Sequence, residues 1–186
     1  MEELKRPPMV LIDYTTNNLR QLAWEGEQFL IAEAEILDKG DYKKWLTQVS
    51  DDILYRIPLR TTRERNAHSQ FSSQSWHMYE DRGSLEMRVA RVYTDYNFVE
   101  DPPSRSRHFL TNFRVASVNL SESTTELLMK CNLLLYRNKF DFTSYDLLSG
   151  EREDLLRKEQ GVWKLAKRTV YLDHTTMGMS NLAIFL

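Results

Sequence analysis

Four histidines, His68, His77, His108 and His174, and one cysteine, Cys131, are the residues of this sequence best suited to bind a metal or move a proton. No two histidines stand at HxxxH or HExxH spacing, the arrangement that puts two imidazoles on one helix face. An iron–sulfur centre held by two cysteines and two histidines needs a second cysteine, and so does a cysteine-built structural zinc site. His68, His77 and Asp81 offer the donor types of a two-histidine, one-carboxylate iron site. Their spacing is not diagnostic, and they lie in or beside a polar stretch where solvated side chains are the simpler reading. His108 is the stronger acid–base candidate, with Tyr55, Asp51 or Asp173 as its companion. The plain alternative is a histidine that begins a strand and hydrogen-bonds locally. Cys131 sits in an apolar run, which favours a buried, inert thiol over a nucleophile.

The six glycines form no GxGxxG or Walker loop, and no G-x-S-x-G elbow is present. A phosphate grip is therefore not expected in "EDPPSRSRHFLTNF", Glu100 to Phe113, despite its two arginines. Pro102 and Pro103 favour extended chain. Arg105 and Arg107, two apart, then project to the same side. Arginine binds carboxylates bidentately and loses water more readily than lysine, which suits a subunit contact. The competing reading is a solvated basic loop, or arginines paired within the chain to Glu100 or Asp101.

The bulk properties narrow the classes. Hydrophobic residues at 41% and charged residues at 28% are ordinary for a folded, water-exposed domain. The net charge of -2 and pI near 6.1 give no electrostatic case for nucleic acid. The four tryptophans are scattered and not interleaved with a basic stripe. No apolar run reaches membrane-spanning length, and no secretion signal is visible. A lone cysteine suits a reducing cytoplasm, so the "NLS" at Asn119 is a chance match to a glycosylation acceptor.

The elements that must hold these residues follow from periodicity. Residues 1–18 read as an arm and 19–186 as one domain. Leu19, Leu22, Ala23, Gly26, Phe29, Leu30 and Leu37 fall on one face of a helix that Lys39–Gly40 ends. A short helix from Asp41 buries Tyr42, Trp45 and Leu46. In "DILYRIPLR", Ile53, Tyr55, Ile57 and Leu59 alternate with Arg56, Pro58 and Arg60, and Pro58 predicts an edge strand. Thr61 to Trp76 is expected to be a long irregular loop. A third helix fits Ser84 to Tyr93. After the prolines the chain reads as strands to its end, with "ELLMKCNLLLYRN" central and a turn at Gln160–Gly161. Helices followed by antiparallel strands give an α+β class, with the helices in the concavity of a strongly curved sheet. The uncharged ending "NLAIFL" predicts that Ile184, Phe185 and Leu186 are buried, in the chain's own core or near a subunit contact.

"PPSRSRH" at 102–108, "LLYRN" at 134–138, "GERED" at 150–154, "KLAKRTVYLD" ending at Asp173 and the closing "SNLAIFL" occur in an order and spacing specific enough to place the chain. Together with "DILYRIPLR" they resemble the small (β) subunit of bacterial aromatic-ring-hydroxylating dioxygenases, from about Leu19 to Leu186. The resemblance implies the cone-shaped α+β fold of nuclear transport factor 2 and scytalone dehydratase, with a mostly antiparallel sheet. It implies a partner α subunit carrying a Rieske [2Fe–2S] cluster and a mononuclear Fe(II), in an α3β3 hexamer in which the β subunits associate as a trimer. A ferredoxin and an NAD(P)H-dependent reductase would supply electrons, and both atoms of O2 would enter an aromatic ring as a cis-dihydrodiol. This chain would bind no cofactor and would hold the assembly, with Arg105, Arg107, His108, Ile184, Phe185 and Leu186 as candidate interface residues. No catalytic, cofactor-binding or metal residue is expected in it. Two other readings stay open: an autonomous dehydratase or isomerase of the same fold using His108 with an aspartate or tyrosine, and a small-ligand binding module. The ring compound is open among benzene, biphenyl and naphthalene types, because its contacts would lie on the α subunit.

Overall fold

The computed structural model describes residues 17–62, 69–94, 102–121, 124–139, 141–178 and 182–186. Residues 1–16 of the predicted N-terminal arm, His68, Glu100 and Asp101 lie outside them, and the arm's last two residues, Asn17 and Asn18, begin the first helix instead. Three helices, α1 (Asn17–Asp38), α2 (Tyr42–Thr47) and α3 (Arg82–Val92), accompany six strands: β1 (Val49–Arg60), β2 (Phe71–Glu80), β3 (Arg105–Leu120), β4 (Thr125–Asn138), β5 (Asp146–Glu159) and β6 (Val162–Leu172). The strands form one sheet in the order β2-β1-β6-β5-β4-β3. Every neighbouring pair is antiparallel except β1 with β6.

The helices form where the sequence supplies both an apolar stripe and terminal chemistry. α1 buries Leu22, Leu30, Ala34, Ile36 and Leu37 and packs chiefly against β3. Its end is a Schellman turn: Gly40, at φ 68°, donates to the Leu37 carbonyl and Asp41 to that of Ile36. Asp41 then caps α2 by accepting from the Lys44 amide at 3.1 Å, and α2 buries Trp45. In α3 the apolar face is Leu85 and Val89, and the cap is Asp81, which accepts from the Ser84 amide at 2.8 Å.

The sheet alternates as a one-sided sheet must. In β4 the inward residues Leu127, Met129, Cys131, Leu133 and Leu135 are buried, and the core combines them with β1, β5, β6, the helices and Ile184–Leu186. β4 is interior, between β3 and β5, as its apolar run predicts. The β5–β6 turn at Gln160–Gly161 has φ of 50° and 82°, the paired positive angles that tight hairpins favour.

Two expectations are corrected. Pro58 does not mark an edge: β1 lies between β2 and β6. The proline is accommodated because the pairing to β6 ends at Arg56 and the register to β2 shifts on both sides of Pro58. The polar run before Trp76 is not all loop either. From Phe71 it is strand β2, which occupies the sheet edge, so its serines and glutamine face solvent without burying a polar group.

Candidate functional site

Two regions concentrate the residues that could act: the inner face of the sheet and the outer face of β3–β5. On the inner face, four fully buried charged residues form one cluster, Glu33 of α1, Arg152 and Asp154 of β5, and Arg168 of β6, while a fifth, Arg137 of β4, donates separately to Ser104. Their positions follow from period. Glu33 sits three residues after Leu30 and four before Leu37, on the apolar stripe of α1. Arg152 and Asp154 alternate in step with inward Leu148 and Leu156, and Arg168 in step with Val170 and Leu172.

The four residues pair completely in charge. Arg168 grips Glu33 with both terminal nitrogens, at 2.8 and 2.5 Å, and donates from Nε to Asp154 at 2.6 Å. Arg152 donates to Asp154 at 3.1 and 2.8 Å and to Glu33 at 3.3 Å. Trp45 adds an Nε1–H bond to Glu33 at 2.7 Å. Burial alone would push the Glu33 carboxyl up; Arg168 and Arg152 outweigh it and hold the group down at about 2. Burial likewise lowers the affinity of Arg168 for its proton, but Asp154 and Glu33 reverse this and keep it firmly charged. Such a closed network has no unpaired carboxylate to act as a base.

His108 lies beside this cluster, on β3. Its companion is Asp38 at the end of α1, not Asp51, Asp173 or Tyr55. The Nδ1 atom is 2.7 Å from Asp38 Oδ1, and the His108 backbone amide donates to the same carboxylate at 3.0 Å. The Nε2 atom donates to the Phe185 carbonyl at 3.0 Å. Both ring nitrogens are thus engaged inside the chain, and the imidazole is 1% exposed, which closes it to a substrate. Asp51 is fully exposed, and Asp173 is mostly exposed and paired with Arg60 at 3.4 Å. Tyr55 is buried, and burial pushes its phenol up. Its hydroxyl accepts from the Leu186 amide at 2.8 Å and donates to the Leu186 oxygen at 2.9 Å.

The C-terminal residues fill the same interior. Phe185 stacks on Trp45, with ring centroids 4.3 Å apart, and meets Tyr42 edge-on at 5.3 Å. Ile184, Phe185 and Leu186 are all buried within this chain. Of the six candidate interface residues, His108 and these three therefore have their side chains committed inside the chain, and Arg105 and Arg107 remain outward.

Arg105 and Arg107 project to one side, as their spacing predicts. Arg105 donates to Asn138 at 2.8 Å, and Arg107, 65% exposed, stands 3.4 Å from Asp38. Cross-strand register sets Arg107 opposite Tyr136 and Phe109 opposite Leu134, and Tyr136 also faces Leu147 on β5. Phe109, Leu134, Leu147 and Tyr145 are large apolar or aromatic side chains left exposed there. The result is an apolar strip bordered by two guanidinium groups. Nothing in the sequence-level periodicity flagged this strip, because single exposed apolar residues are common and only register shows that these are neighbours.

The remaining candidates are not brought together. His77 lies on β2, where burial lowers its proton affinity, and Asp81 is spent as the α3 cap. Among the described residues no group of three or more His, Cys, Asp or Glu side chains is arranged to hold a metal ion. Cys131 is buried, and burial pushes its thiol up to about 11.

The biphenyl 2,3-dioxygenase β subunit of Rhodococcus jostii is 31% identical over 169 residues, covering 88% of each chain. A structure of naphthalene 1,2-dioxygenase with indole bound superposes with a TM-score of 0.78 at 25% identity, covering 93% of this chain and 89% of that one. A putative scytalone dehydratase from Novosphingobium aromaticivorans shares the fold, with a TM-score of 0.59 at 15% identity and 89% and 91% coverage. The sequence profile described as "Ring hydroxylating beta subunit" matches residues 32–179, most of the length. The chain belongs to the family of ring-hydroxylating dioxygenase β subunits.

Proposed function

We propose that this chain is the non-catalytic β subunit of the terminal oxygenase in a multicomponent aromatic-ring dioxygenase, a cytoplasmic system that forms cis-dihydrodiols. Its partner is an α subunit that carries the Rieske cluster and the mononuclear Fe(II), in an α3β3 hexamer with β–β contacts. Ferredoxin and an NAD(P)H-dependent reductase act through that complex. The observation that carries this reading is the interior: the acid–base pair His108–Asp38 is capped by Phe185, and the buried carboxylates of Glu33 and Asp154 are both ion-paired. An autonomous dehydratase would need that pair open to a substrate.

The outer strip supports an assembling role. Phe109, Leu134 and Leu147 supply apolar area, and Arg105 and Arg107 supply directional charge at its border. Arg105→Ala combined with Arg107→Ala is expected to weaken association with the α subunit while leaving the thermal unfolding of the isolated chain unchanged. Sizing of the complex across a concentration series tests it. An assembly as tight as that of the unaltered chain would remove the two arginines from the interface.

A further inference from the structure

We infer that the interior of the sheet is a peptide-binding site whose occupant is the chain's own segment Leu182–Leu186. The contacts are those of a receptor with a ligand: side chains reading a backbone, and a ring in an aromatic pocket. His108 Nε2 donates to the Phe185 carbonyl at 3.0 Å. Tyr55 both accepts from the Leu186 amide and donates to the Leu186 oxygen, to which Arg168 Nη1 also donates at 3.0 Å. At the other end of the segment, Arg88 Nη1 donates to the Leu182 carbonyl at 3.4 Å. These groups come from β3, β1, β6 and α3, so four elements converge on five residues. The Phe185 ring lies on Trp45 and against Tyr42.

The site's chemistry defines what it takes: a short peptide with one aromatic and no charged side chain, whose backbone oxygens face an imidazole, a phenol and a guanidinium. The segment is not a strand of the sheet. It returns to the interior after β6 through residues 173–178, where Thr175 and Thr176 are exposed and a Cβ at Gly178 would meet nothing. The segment thus acts as a ligand in cis.

The test is to cut the folded chain in that connection. A protease recognition sequence is inserted between Thr175 and Thr176, the purified chain is cleaved, and a fluorescent peptide of sequence LAIFL is added. The cut chain is expected to stay folded by circular dichroism, and the labelled peptide to replace the released fragment. Tyr55→Phe in the same background is expected to raise the peptide's Kd by about tenfold. A cut chain that unfolds would show that the segment is an inseparable part of the core and would overturn the inference. So would a cut chain that stays folded but holds no peptide. If the insertion prevents folding, hydrogen exchange on the unaltered chain decides. Faster exchange at the Phe185 and Leu186 amides than in β4 and β5 supports detachment, and exchange only with the whole sheet overturns it.

Discussion

The Arg168 guanidinium joins three elements, bonding Glu33 on α1, Asp154 on β5 and the backbone oxygen of Leu186. Removing it leaves two carboxylates buried with one arginine between them. Arg168→Met is therefore expected to lower unfolding free energy by about 3–5 kcal/mol, measured by urea titration. A loss below about 1 kcal/mol would mean that water reaches the cluster. The same network makes stability depend on acid. The Glu33 carboxyl is held at about 2 in the folded chain against 4.5 as its ordinary value. Its contribution, on the order of 3 kcal/mol, is fully present above pH 4.5 and is lost as pH falls towards 2. Glu33→Gln is expected to flatten the acid limb of the stability curve over that window. An unchanged limb would assign acid sensitivity to other groups. Cys131, buried and with its thiol raised to about 11, is expected to react with a thiol reagent at neutral pH only as fast as the chain unfolds.

At the scale of elements, "GERED" shows why a strand can carry charge inward. Gly150 lies opposite Leu172, and a Cβ there would stand 2.5 Å from the Tyr171 carbonyl oxygen. Gly150→Ala is expected to part β5 from β6 and cost about 1–3 kcal/mol, read as a lowered Tm. An unchanged Tm would mean the backbones shift without penalty. The stripe of α1, the Schellman glycine, the interior place of β4 and the Gln160–Gly161 turn were legible because each rests on local spacing or local backbone chemistry. Pro58 misled because its rule concerns hydrogen bonds, and a register shift satisfies the rule away from an edge. β2 was hidden because it buries only Phe71 and Met78, too few and too far apart to display an alternating apolar face. The buried network had a signal that went unread: Glu33 on an apolar helix stripe, and Arg152, Asp154 and Arg168 in phase with inward leucine and valine. His108 stood out in the sequence as an acid–base candidate and an interface residue; its burial and its partner Asp38 could be found only from the fold, since 70 residues separate the pair.

The whole molecule divides its chemistry between a sealed inside and an open outside. Inside, paired charges, His108–Asp38 and Phe185 fill the space under the sheet. Outside, Phe109, Leu134, Leu147, Arg105 and Arg107 lie on an exposed surface. Family membership and a closed interior together support the proposal that assembly, not turnover, is the task of this chain. The central claim is tested most directly by native mass spectrometry of this chain co-expressed with the α subunit of its oxygenase. The expected result is a hetero-oligomer with the two chains in equal number, in which iron follows the α subunit and is absent from this chain released alone. A chain that stays apart from the α subunit, or that carries stoichiometric iron on its own, would contradict the account.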